Sequence, residues 1–268
     1  MNILIPMAGN GNRFVNGGYT TPKPLIKTFD TKSKKELPMI ICAANNLPGV
    51  DDENNKLIFI DRIFHKELGI ETIIKNNFNN AKFITLDSLT DGQAATCLKA
   101  KDEINNDDEL LIGACDCGIR YNIDKFNDLK KTCDAIVFTF KNNDAVCENP
   151  NAYGWVKTNN DHICYASVKK PISNKPENDD AITGIFWFKH GKEFVGAAEN
   201  MIKSNKRING EFYVDEVINF ILELGLTAKT FTVDKYFCWG TPKDYEDYQN
   251  TISYWENFLK EYKTAIQK

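Results

Sequence analysis

Ile3-Leu4-Ile5-Pro6-Met7-Ala8-Gly9-Asn10-Gly11-Asn12-Arg13-Phe14 stands almost at the start of the chain. A short apolar run followed at once by a glycine-rich segment reads as a buried strand that ends in a loop. Glycines 9 and 11 let backbone N–H groups approach a row of phosphates, and Arg13 adds charge-assisted, bidentate donors. The third glycine of a dinucleotide fingerprint is absent from Asn12-Arg13-Phe14, and no Gly-Lys-Ser/Thr of a Walker A loop follows. A lone Gly-x-Gly after a strand is weak evidence. It gains weight from Thr21-Pro22-Lys23-Pro24-Leu25 further on, where two prolines stiffen the chain around one lysine.

Outward from this stretch, apolar runs at 56–60, 82–86, 109–115 and 135–140 read as strands. Helical patterns at 39–46, 63–75 and 91–104 lie between them. The alternation predicts an α/β fold, a mostly parallel sheet with helices on both faces. After Asn149 the spacing predicts strands at 153–157, 163–168, 182–189 and 228–233, and helices at 192–204 and 212–224. An amphipathic helix from Pro242 to about residue 263 follows, with the proline suited to its first turn. The reading is one domain: a front half over residues 1–149 that carries the glycine loop and reads as nucleotide-binding, a back half over 150–241 left for a second substrate, and a C-terminal helix over 242–268.

Composition narrows the partners. Of 268 residues, 42% are hydrophobic and 26% charged, as in ordinary globular proteins. A net charge of −4 argues against nucleic acid or an anionic membrane as partner. No run approaches the roughly 18 apolar residues of a membrane span, and the first residues lack a basic segment of the secretory kind. The expectation is a soluble, cytoplasmic protein. Eight scattered cysteines include only Cys115-x-Cys117 as a close pair, so buried reduced thiols are expected rather than a zinc site. His65, His162 and His190 stand apart from one another, which argues against a histidine base or metal cluster, and no Gly-x-Ser-x-Gly elbow is present.

Gly9-x-Gly11-x-Arg13 followed by Pro22-Lys23-Pro24-Leu25 resembles the signature of the sugar-1-phosphate nucleotidylyltransferases, the pyrophosphorylases that make nucleotide sugars. The resemblance implies a three-layer αβα fold of the nucleotide-diphospho-sugar transferase type with a mostly parallel mixed sheet. It implies that Ala8, Gly9 and Gly11 wrap the NTP phosphates while Arg13 and Lys23 act catalytically on the charge passing to pyrophosphate. Asp91-Gly92-Gln93 reads as the capped start of a helix, and the resemblance sets Gly92 and Gln93 against the base, with Gln93 suited to a pyrimidine. Asp116 closes an apolar strand, where open α/β sheets bind ligands, and a carboxylate there suits Mg²⁺.

The resemblance continues through Tyr153-Gly154-Trp155-Val156, Lys169-Lys170-Pro171 and Thr183-Gly184-Ile185-Phe186, in family order and over roughly residues 1–250. It implies that Gly154, Lys170 and Thr183 face the acceptor, with Lys170 on its phosphate. Two positions depart from the family. Lys169 stands where an acid commonly grips sugar hydroxyls, which leaves the acceptor's identity open. Cys238-Trp239-Gly240-Thr241 has no acid where many members place a second metal ligand; Glu211, otherwise assigned to the acceptor, is preferred as the substitute over Asp215.

The implied reaction condenses an NTP with a sugar-1-phosphate or similar small phosphorylated metabolite and releases pyrophosphate, supplying an activated precursor for surface polysaccharide. One rival, a glycosyltransferase of the related fold, needs a second acid that Asp116-Cys117-Gly118 lacks. A second, a non-catalytic nucleotide-binding homologue, would tolerate Lys169 and the missing acid. The C-terminal helix reads as a solvated amphipathic helix compatible with a homo-oligomer.

Overall fold

The computed structural model describes residues 1–266. The last two residues assigned to the C-terminal helix lie outside the described residues. The strands are β1 (Asn2–Pro6), β2 (Lys27–Asp30), β3 (Lys35–Pro38), β4 (Lys56–Arg62), β5 (Ala81–Leu86), β6 (Leu110–Ile112) and β7 (Cys117–Arg120). They continue as β8 (Ala135–Phe140), β9 (Gly154–Asn159), β10 (His162–Val168), β11 (Asp180–Phe188), β12 (Ala228–Thr232) and β13 (Lys235–Cys238). The main sheet runs β5-β4-β1-β6-β11-β8-β12-β10-β9.

Side chains on these strands alternate between two cores, as a pleat of period two requires. Leu4, Ala135 and Val137 join the core that holds Phe194, Val217 and Ile221 from helices Gly191–Lys203 and Val214–Glu223. Their neighbours Ile3, Ile5, Ile136 and Phe138 join the opposite core with Ile40, Ile41 and Phe126 from helices Met39–Asn45 and Ile123–Lys130. Both faces are therefore covered by helices. A third cluster, around Phe14, Met39, Trp239 and Tyr248, sits under the glycine loop.

The sheet is mixed rather than mostly parallel. β5, β4, β1 and β6 run parallel, and so do β8 and β12, but β11 is antiparallel to β6, β8 and β9. β11 is also bent along its length. Gly184 takes φ 87°, and the register with β8 shifts between Ile182 and Phe186. A left-handed glycine inside a strand bends it, so the first half of β11 pairs with β9 and the second with β6. Together with the bridge His162↔Lys229 between β10 and β12, this curls the back half towards a barrel.

Other boundaries moved for local reasons. The helix expected over 63–75 breaks at Gly69, φ 72°, into Ile63–Glu67 and Ile70–Lys75. The helix expected from 212 starts at Val214, because the Phe212 backbone bonds the Asp91 carbonyl and the Ala94 N–H. The strand expected over 109–115 is confined to β6, and Cys117 already belongs to β7, which pairs with β13.

One feature of the topology locates the site. The chain leaves β1 for β4 on one side and later returns to β6 on the other, so the sheet order reverses at β1. In open α/β sheets the crevice beyond the carboxyl ends at such a point holds the ligand.

Candidate active site

A cleft of about 740 Å³ opens at that point. Ala8, Gly9, Gly11, Arg13, Lys23, Gly92, Gln93, Asp116, Gly154, Thr183 and Glu211 all line it, so most of the residues singled out by sequence converge on one cavity. Lys170 does not line it.

The glycine loop owes its shape to two anchors. Gly11 takes φ 66° and ψ 23°, a left-handed conformation that caps the short helix Asn12–Asn16. Within that helix Phe14 is buried, while the neighbouring Arg13 is exposed, and no hydrogen bond or ion pair among the described residues holds its guanidinium. The Arg62 guanidinium at the end of β4 bonds the Asn10 side chain and ties the loop to the sheet. Gly9 is different: a Cβ there would meet nothing within 4 Å. No protein neighbour demands glycine at 9, which suits a position kept open for a ligand.

Lys23 begins the 3₁₀ turn Lys23–Leu25, held between its two prolines. Its Nζ donates to Asp116 Oδ2 at 2.6 Å and to the Gly240 carbonyl at 3.0 Å, and lies 5.1 Å from the centre of the Phe14 ring. Burial presses the lysine pKa down, but the Asp116 carboxylate outweighs it, and the net shift is upward. The same burial pushes Asp116 up, yet Lys23, with Arg13 and Lys169 further off, holds it below the usual carboxylate range. The pair is therefore charged on both sides near neutral pH. Gly240 belongs to the segment without an acid, strapped beneath Asp116 by the β7–β13 pairing and by Trp239 N–H to the Asp116 carbonyl at 3.0 Å. The protein supplies a carbonyl where a second carboxylate was sought.

Glu211 and Asp215 line the same cleft as Asp116. Among the described residues no three His, Cys, Asp or Glu side chains gather as a metal cage. Glu211 is exposed and accepts a hydrogen bond from Tyr213, which, after burial, is the second cause lifting the Tyr213 pKa to about 12. Asp215 is buried against Gly154; a Cβ at 154 would lie 2.1 Å from its Oδ2. Magnesium keeps several waters and takes substrate phosphates, so one carboxylate fits an ion arriving with a triphosphate better than a resident one. Asp116 fits that role.

The acceptor side corrects two expectations. Lys170 is exposed and outside the cleft, and its carbonyl accepts from Ser167. Lys169 lines the cleft instead. It adopts φ 57°, its ammonium bonds the Ala152 carbonyl, and it lies 5.6 Å from the Tyr213 ring centre. The left-handed turn at 169 separates the directions of the two lysines. Burial lowers the Lys169 pKa, partly countered by Asp215, while burial lifts Asp215 to about 6. Thr183 reaches the cleft, but its hydroxyl is committed to the β11 bend, donating to Phe138 O at 3.0 Å and accepting from Ile185 N at 3.2 Å.

At the opposite end, Gly92 takes φ 109° and caps helix Gln93–Cys97. A Cβ at 92 would meet the Phe212 backbone at 2.6 Å, so glycine is required by that crossing. Asp91 is not the cap; its carboxylate pairs with Arg207 at 2.8 Å. Gln93 shares this wall with Leu89, Thr90 and His65. His65 Nδ1 accepts the Arg62 N–H at 3.3 Å, which leaves the ring proton on Nε2. Burial, helped by Arg62, drops its pKa to about 4, so the ring is neutral. Sequence spacing gave no signal for His65, nor for Asp244, which lines the cleft and accepts from Thr241 at 2.6 Å.

No protein-family model matches the chain, and a search of curated proteins finds no match. Solved structures do match. A nucleoside-diphosphate-sugar pyrophosphorylase from Vibrio cholerae RC9 aligns at TM-score 0.74 and 19% identity, over 92% of this chain and 98% of the other. A UDP-glucose pyrophosphorylase complexed with UDP-glucose aligns at TM-score 0.68 and 15% identity, over 96% and 98%. The inositol-1-phosphate CTP transferase from T. maritima gives TM-score 0.66 and 12% identity, over 91% and 90%.

The chain has the nucleotide-sugar pyrophosphorylase fold.

At these identities the likeness establishes architecture, and the chemistry rests on the cleft itself. No helix among the described residues is long and apolar enough to cross a membrane. The cysteines are free; Cys42, Cys97, Cys117 and Cys133 are buried, Cys115 and Cys238 half-buried, and Cys147 and Cys164 exposed, so half of the eight are buried where most were expected to be.

Proposed function

We propose that the protein is a nucleotidylyltransferase that transfers a nucleoside monophosphate from an NTP to the phosphate of a small acceptor and releases pyrophosphate. The observation that carries this reading is the meeting of Arg13, Lys23 and Asp116 on one cleft at the strand-order reversal. An acceptor phosphate oxygen attacks the α-phosphorus in line; the new P–O bond forms as the bond to the β-phosphate oxygen breaks. A phosphate monoester is already ionised near neutral pH, so no general base is needed, and a neutral His65 agrees with that.

Catalysis then consists of positioning and charge stabilisation. The unpaired Arg13 guanidinium takes the leaving pyrophosphate. Lys23, fixed by Asp116 and the Gly240 carbonyl, presents its ammonium to the α-phosphate. Lys169 replaces Lys170 as the cation for the acceptor phosphate. Mg²⁺ delivered with the NTP would neutralise phosphate charge beside Asp116. Gly92 and Gln93 face the base, which we assign as a pyrimidine, and the acceptor class is sugar-1-phosphates and related phosphorylated metabolites, feeding surface-polysaccharide synthesis.

The test is pyrophosphate release across the four NTPs with a panel of sugar and polyol phosphates. Acceptor-dependent release with one NTP is expected. Release from no combination, with NTP binding intact, would replace this reading with the non-catalytic one.

A further inference from the structure

The last helix, Pro242–Ile266, changes character part-way along. Its first half is anchored: Tyr248 is buried, and Tyr245 and Ile252 pack on the cluster around Phe14 and Trp239. Tyr245 and Tyr248 donate to the carbonyls of Lys27 and Phe29. From residue 253 to residue 262 every residue is exposed. The chain there forms an exposed helical arm.

That arm is not polar. Tyr254, Trp255, Phe258, Leu259 and Tyr262 are each 44–63% exposed. At 3.6 residues per turn they occupy an arc of roughly 140°, while Ser253, Glu256, Asn257, Lys260 and Glu261 take the opposite side. The rings form a continuous ladder, with centroids 5.5 Å apart for Tyr254–Trp255, 5.6 Å for Trp255–Phe258 and 6.2 Å for Phe258–Tyr262. A short lone helix is marginal in water, and exposed aromatic surface of this kind marks a contact.

We propose that this arm is an isologous dimer interface, covered by the same arm of a second copy running antiparallel. Three observations choose this occupant. First, the two tyrosines are placed symmetrically: Tyr254 and Tyr262 stand four residues either side of Phe258. A two-fold axis there sets each tyrosine against its counterpart, the self-complementarity that an isologous contact requires. Second, the area suffices. At about 200 Å² per large side chain, five half-exposed residues present on the order of 500 Å², so two copies remove about 1,000 Å², where specific interfaces begin. Third, the charge excludes the other common partner of an aromatic helix. Membrane-surface helices carry an excess of lysine and arginine on the polar face, whereas residues 253–266 set Glu256 and Glu261 against Lys260 and Lys263, with no net positive charge, on a chain of net charge −4.

Sedimentation equilibrium of the full chain decides it, at about 50 µM, where even a micromolar Kd populates the pair. Wild type is expected at twice 30.5 kDa. Trp255→Glu with Phe258→Glu is expected at the single-chain mass, with the circular dichroism of a folded body, because the arm lies outside the core and only its own turns can fray. Glu256→Lys, on the polar side, is expected to stay dimeric. A monomeric wild type overturns the proposal, and so does a double variant that remains dimeric. Co-sedimentation of a monomeric wild type with phosphatidylglycerol vesicles would assign the arm to a membrane surface instead.

Discussion

Lowering the pH from 6.5 towards 4 protonates an ordinary histidine in the unfolded chain while His65 in the folded chain stays neutral. The sign follows directly. A depressed folded pKa means that the unfolded state binds the proton first, so the stability tied to the neutral ring is complete above pH 6.5 and is lost as pH falls to about 4. The ring is 1% exposed, so solvent screens little of the effect, and the gap between the two values corresponds to about 3 kcal/mol. His65→Asn removes the titration and keeps an acceptor for the Arg62 N–H. Urea unfolding of both proteins at pH 7 and pH 4, followed by tryptophan fluorescence, isolates the term because background carboxylates act equally on both. The variant should lose about 3 kcal/mol less than wild type between the two values. Equal losses, or a His65 imidazole that titrates near pH 6.5 by NMR, would refute the buried neutral ring and with it a neutral donor on the base wall.

Three further outcomes are expected. Lys23→Ala or Asp116→Ala should lower turnover about 10³-fold, the scale of losing a preorganised charge-stabilising group, with unchanged circular dichroism; near-normal pyrophosphate release by both variants removes the active-site assignment. Lys169→Ala should raise the acceptor KM by about 10- to 100-fold, the loss of a charge-assisted hydrogen bond, while Lys170→Ala leaves it near wild type; the reverse ranking restores the sequence assignment. Gly154→Ala should destabilise by about 1–3 kcal/mol through overpacking on Asp215, and Asp215→Ala in the same chain should recover most of it; additive losses in urea unfolding would show that the carboxylate is not the obstacle.

The front of the fold was legible because its signals are local. Ile3, Leu4 and Ile5 are wholly buried in a parallel strand, and such strands read as unbroken apolar runs. β8 is equally legible because all six of its residues are buried and five of them are apolar. The back half was harder, because its shape comes from one glycine. Gly184 bends β11 so that a single strand pairs on both sides of the fold, and nothing in the spacing of Thr183-Gly184-Ile185 separates a bend from a turn. The hairpin of β2 and β3 and the pair of β7 and β13 escaped notice because each strand has only four residues, and β7 and β13 lie far apart in sequence.

The site divides along the same line. Gly11, Arg13 and Lys23 were readable because the chain itself brings them together, whereas the choice between Lys169 and Lys170 depends on one backbone angle. At φ 57° residue 169 leaves the strand direction of β10, and its side chain enters the cleft while its neighbour's remains in solvent. A lysine in a left-handed turn carries a cost that a glycine would avoid. Among the described residues the Arg13 guanidinium has no hydrogen bond or ion pair, Lys23 is held by Asp116, and Lys169 meets a carbonyl and an aromatic face with Asp215 acting on it through charge. Three cations beside Asp116, in a cleft that Glu211, Asp215 and Asp244 also line, suit two phosphate-bearing substrates whose charge must be matched, as the proposed reaction requires.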